Sequence, residues 1–178
     1  MNSYEIIAAQ FHQRIDSIAG AVDAMAPGLE AASALLVQAV LDDRKVLVVA
    51  TGQDALLGET LAEALRAPGD AAPPLPALAF TGSRAVEPTN LWRDLRTISR
   101  DGDILIALDT STDAPMLQAA AEFANERNLV AIGLSETQDS DCAATITLLA
   151  HDARLKKELG LMAMPVLQEQ VRQYLMGE

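Results

Sequence analysis

"GDILIALDTSTDAPMLQAAAEFANERNLVAIGLS", residues 102–135, decides the fold. Its first strand candidate, Ile104 to Leu108, is apolar at every position, the mark of a strand covered on both faces. "DTSTDA", 109–114, is a polar turn, and Pro115 after it suits the first turn of a helix. "APMLQAAAEFANERN" reads as that helix, and "LVAIGLS", 129–135, as a second buried strand. A helix between two such strands carries the chain back to its starting edge, so the strands lie parallel.

The same unit recurs upstream. "KVLVVAT", 45–51, is a strand, and "GQDALLGETLAEALR" a helix entered through Gly52 and Asp54. "LPALAFT", 75–81, is a further strand with Pro76 near its start, followed by a short helix in "LWRDLRTIS". There Trp92 and Leu95 read as anchors, against a neighbouring chain in the case of an assembly. "CAATITLLA", 142–150, is a fifth strand, and a last helical region runs from Ala153 to Leu175. Pro165 is expected to kink or restart it. At the N-terminus, Ile7, Phe11, Ile15, Ile18, Val22 and Met25 form a seam of bundle type along a helix over 3–25. "APG", 26–28, is expected to end that helix, with a second one over Leu29 to Leu41.

The expected architecture is therefore α/β: a five-stranded parallel sheet flanked by helices, a flavodoxin-like three-layer sandwich, with two N-terminal helices. One domain covers residues 1–178, of which 1–43 form a helical pair used in oligomerisation and 44–178 the sandwich.

Composition narrows the function. Half the residues are hydrophobic but only 3% are aromatic, so the core is built from Ala, Leu, Val, Ile and Met. The net charge of −12 and the lack of a basic cluster argue against direct nucleic-acid or anionic-membrane binding. No apolar run is read as a membrane span, and no basic, apolar leader opens the chain. The expected location is cytoplasmic. The single cysteine, Cys142, allows no internal disulfide and reads as a buried structural thiol.

In parallel sheets, ligands sit beyond the carboxyl ends of the strands. Two loops reach that place, "ATGQDA" after the first strand and "DTSTDA" after the third. Both enter helix N-termini, whose free amides favour anions.

This order of elements resembles the SIS (sugar isomerase) domain, and within it the phosphoheptose isomerase and DnaA initiator-associating protein branch. "LLVQAVLDDRKVLVVATGQDALLGETLAEAL", "LPALAF" and "RDGDILIALDTSTDAPMLQAAAEFANERNLVAIGLS" carry the likeness. The resemblance implies sugar-phosphate-type ligands at Gly52, Gln53, Asp54, Asp109, Thr110, Ser111, Thr112 and Ala114. It also shows departures. Gly52, Thr110 and Ser111 keep the family's letters, whereas Asp54, Asp109 and Ala114 stand where the family has serines. Carboxylates offer a phosphate only acceptors, so the two aspartates oppose it. Asp54 also reads as the cap of its helix.

The resemblance places the isomerase's acid and base residues at Thr60, Ala64 and near Lys156 and Met164, none of them suited to a zinc site or to proton transfer between carbons. Glu63 and His151 are the weak substitutes for a catalytic role; Glu59 lies close to the first. His12 reads as surface or packing, and Asp152 as the cap of the last helix. No cofactor and no metal are expected. Three functions follow: a non-catalytic regulatory or scaffold homo-oligomer (tetramer or dimer) with a protein partner such as a replication initiator, a phosphoheptose isomerase-like enzyme, or a sensor of a neutral or amino sugar held by Asp54, Asp109 and Asp113.

Overall fold

The computed structural model describes residues 2–67, 73–82, 88–137, 140–150 and 152–177. The elements run α1 (Ser3–Leu41), β1 (Val46–Thr51), a single 3-10 turn (Gly52–Asp54), α2 (Ala55–Arg66), β2 (Ala77–Gly82) and α3 (Pro88–Ile98). β3 (Ile104–Asp109), α4 (Pro115–Arg127), β4 (Val130–Ser135), β5 (Ala144–Thr147) and α5 (Ala153–Met176) complete the chain. All five strands are parallel, in the order β2-β1-β3-β4-β5. The chain leaves β1 toward β2 on one side and returns to place β3 on the other. The crevice of this fold therefore opens between the carboxyl ends of β1 and β3.

Alternation along the strands divides the core into two layers. Val46, Val48, Ile104, Ile106, Ile132 and Ile146 face α1, α2 and α5. Leu47, Val49, Leu105 and Ala107 face α3 and α4, where they meet Leu95, Leu117 and Phe123. These strand residues are almost wholly buried, as an apolar run with helices on both sides requires.

The two N-terminal helices of the sequence reading are one. α1 continues through Pro27. Pro27 and Asp23, whose carbonyl loses its helical partner, both lie on the exposed side, where water can replace the missing amide. On the opposite side Met25, Ala32, Leu36 and Ala39 are buried in the core. Gly28 sits so close to β5 that a Cβ there would lie 2.1 Å from the Thr145 carbonyl oxygen. Packing against the sheet thus holds together a helix that local propensity would break. α5 likewise runs unbroken through Pro165, which is exposed, as is Leu161 one turn before it.

α1 also corrects the reading of hydropathy. An 18-residue window of it averages 1.5 in hydropathy, long and apolar enough by length and composition to cross a membrane. Its Ala-rich inner face belongs to the core of this domain, and a third of that window is buried there. The N-terminal half reaches past the sheet. Ile7, Phe11, Ile15 and Val22, members of the seam, are exposed there.

Candidate functional site

The first loop begins at Gly52, whose φ of 59° is in the left-handed region that favours glycine. The tight turn it makes directs Asp54 into the protein, where it is only 4% exposed. Asp54 makes no side-chain cap to α2. The capping expectation fails because a stronger partner lies across the crevice. Thr110 donates its amide to Asp54 Oδ2 at 3.0 Å and its hydroxyl to Oδ1 at 2.8 Å. Gln53 Nε2 adds a longer contact to Thr110 Oγ1, at 3.4 Å.

Asp109 occupies the donors of the second loop in the same way. Its Oδ1 accepts the Ser111 amide at 3.0 Å and the Ser111 hydroxyl, and its Oδ2 accepts the Met116 amide at 2.9 Å. Met116 lies in the first turn of α4, so Asp109 supplies the cap that Ala114 cannot. Ala114 itself is left-handed, with φ 38°, an uncommon state for a residue with a Cβ. Thr112 and Asp113 are exposed at the tip.

The far side of Thr110 is held by α5. Lys156, 7% exposed, donates to the Thr110 carbonyl at 3.3 Å and pairs with Glu136 after β4. Loops after β1, β3 and β4 are thereby tied to α5 through Thr110 and Lys156. Glu136 is absent from the sequence reading, which looked only at the two glycine- and hydroxyl-bearing loops. Lys156 entered the sequence reading only as a position unsuited to catalysis; its burial was legible there, since it shares the inward stripe of α5 with Leu155, Leu159 and Ala163.

The substitute acids and bases are elsewhere. Glu63 lies on the exposed face of α2, paired with Arg66 at 2.5 Å. Glu59 accepts the Thr81 hydroxyl at 2.7 Å. Thr60 donates its hydroxyl back to the Leu56 carbonyl, and Met164 is buried in the core. His151 lies outside the described residues, and His12 is on the surface. Thr60, Ala64, Lys156 and Met164 do not fit a zinc centre, since none of them is an imidazole, thiolate or carboxylate. Among the described residues no three His, Cys, Asp or Glu side chains are grouped to hold a metal ion.

Beside Asp109, a cavity of about 470 Å³ opens between α3, α4 and the carboxyl ends of β1 and β2. Phe80, Leu91, Trp92 and Met116 wall it, with Thr51, Asn90 and Asp94 as further lining residues. Trp92 packs on Phe123 of the same chain, ring centres 5.1 Å apart, so its anchoring is internal. Cys142 is half-buried, and burial raises its thiol pKa above the ordinary value; Ser140 opposes the rise and Asp141 adds to it. Asp152 caps α5 as expected, accepting the Arg154 and Leu155 amides at 2.8 Å each.

No protein-family profile matches the chain. A phosphoheptose isomerase of Halorhodospira halophila is 29% identical over 168 residues, which cover 89% of this chain and 85% of that one. The structure of a phosphoheptose isomerase from Francisella tularensis matches with a TM-score of 0.77 at 18% identity, covering 97% of this chain and 100% of the other. The sugar isomerase domain of an RpiR transcription factor from Sphaerobacter thermophilus matches with a TM-score of 0.58 at 16% identity, covering 94% and 96%. The chain is phosphoheptose isomerase-like in sequence and shares the fold of these sugar isomerase structures.

Proposed function

We propose that this protein is a non-catalytic SIS domain, a regulatory or scaffold homo-oligomer whose phosphate seat is filled by its own carboxylates. One observation carries the reading. The amides of Thr110, Ser111 and Met116, together with two hydroxyls, donate to Asp54 and Asp109. A phosphate would have to displace two anions from those donors, and each buried carboxylate would then lose its partners. The residues at the isomerase's acid and base positions support the same reading. The RpiR relative carries the fold in a transcription factor, in keeping with a regulatory use. The exposed seam of α1 suits a second copy of the chain, and a cytoplasmic partner such as a replication initiator suits the branch.

The names of the sequence relatives favour a second reading, a phosphoheptose isomerase-like enzyme. It needs Glu63, His151 or residues of another subunit to move the proton. The purified protein is expected to show no turnover of sedoheptulose 7-phosphate. Turnover that disappears in Glu63→Gln or His151→Ala would establish the enzyme instead.

A further inference from the structure

We propose that the cavity beside Asp109 binds an amino sugar that carries no phosphate, through its amine and the apolar face of its ring. The sugar skeleton rests on the likeness to sugar isomerases and on the sugar-sensor alternative of the sequence analysis; the amine and the exclusion of phosphate rest on the lining alone.

The cavity of about 470 Å³ falls within the range of small-ligand sites and borders the sheet's switch point, where Thr51 ends β1 and Asp109 ends β3. Its walls are apolar and include two aromatic side chains, Phe80 and Trp92. Every ionisable group among its described lining residues is a carboxylate, Asp94 or Asp109. A phosphate placed there meets like charge and no described cation, whereas an ammonium meets opposite charge and aromatic faces that attract cations. Asp94 is free to respond. It is exposed, and its contact with Arg93, at 3.4 Å, is a surface pair of small worth. Asp109 has one acceptor site left, since a carboxylate can take about four hydrogen bonds and the structure gives it three. Asn90 and Thr51 supply neutral partners for hydroxyls. The indole is braced from behind by Phe123, so a ring can lie against it without first ordering it.

This placement differs from the acidic cleft expected from sequence. That cleft is formed by Asp54, Asp109 and Asp113 together, but Asp54 faces inward and already accepts two bonds from Thr110.

Trp92 is the chain's single tryptophan, so fluorescence excited selectively at tryptophan, where Tyr4 and Tyr174 do not absorb, reports on the wall of this cavity. The test titrates glucosamine, glucose and glucosamine 6-phosphate into the wild type and Asp94→Asn, with turnover of sedoheptulose 7-phosphate followed in parallel. Glucosamine should saturate a fluorescence change, glucose and the phosphorylated sugar should bind less tightly, and Asp94→Asn should weaken glucosamine by about tenfold. Equal binding of glucose would overturn the amine, tighter binding of glucosamine 6-phosphate would overturn the exclusion of phosphate, and silence with all three sugars would overturn the site. Turnover would sink the non-catalytic reading while leaving the amine result to be judged by the fluorescence.

Discussion

Asp54 shows how one side chain can redirect a site. Its identity and charge were legible, and so was the conflict with a phosphate. Its direction was not, because the local rule for an aspartate before a helix is to cap it. Thr110, 56 residues away, offers two donors in a buried crevice, and a buried carboxylate gains more from those than from an exposed helix end. Nothing within a few residues of Asp54 announces that partner. Glu169 illustrates the opposite case, a carboxylate governed by its own helix. Hydrogen bonds from Arg172, then from Gln173, lower its pKa from 4.5 to about 2, against a small opposing effect of burial. A carboxyl whose pKa is lower in the folded state contributes stability fully above its unfolded value, and loses it as pH falls through the folded one. The contribution of Glu169 is therefore complete above pH 4.5 and fades toward pH 2. Melting temperatures across that window should fall less steeply in Glu169→Gln than in the wild type. Identical slopes would show that the pair does not persist in solution.

At the scale of elements, α1 and α5 were read as more broken than they are. Pro27 and Pro165 were weighed by propensity, which disfavours proline inside a helix by about 3 kcal/mol. Both lie where solvent can meet the freed carbonyl, and the opposite faces are fixed by the core. The strands were read closely because their signal is continuous burial, which the sheet imposes residue by residue. Gly28 tests the packing account of α1. Replacing it by alanine drives a methyl into the Thr145 backbone, which cannot swing aside, and should destabilise the fold by about 3 kcal/mol or more. Alanine at Gly160 meets instead the end of the Leu57 side chain, at 2.8 Å, which can rotate. Denaturant unfolding should therefore rank Gly28→Ala well below Gly160→Ala; equal stabilities would mean that α1 does not sit tightly on β5.

For the whole molecule, the exposed seam and the filled crevice belong together. Tyr4, Phe11 and Ile15 are exposed on a helix that extends beyond its own sheet, in a chain of net charge −12 that otherwise keeps copies apart. The scaffold reading expects light scattering to give a multiple of 18.9 kDa, and a clear fall in mass for Phe11→Asp combined with Ile15→Asp. A monomeric wild type would remove the seam from the account. The parallel sheet and both loops were legible from residue pattern and order alone. The charge-filled state of the crevice was not, because it depends on contacts between loops far apart in the chain. The most direct measurement is a thermal-shift titration with sedoheptulose 7-phosphate of the wild type beside the double variant Asp54→Ser, Asp109→Ser. Ligand at 100 times Kd adds about 2.7 kcal/mol to a protein that binds it. The account predicts a flat wild type and a variant that gains a rise in melting temperature once the seat is vacated. A saturable rise in the wild type would contradict it, because the phosphate would then be binding where the protein's own carboxylates are held to sit.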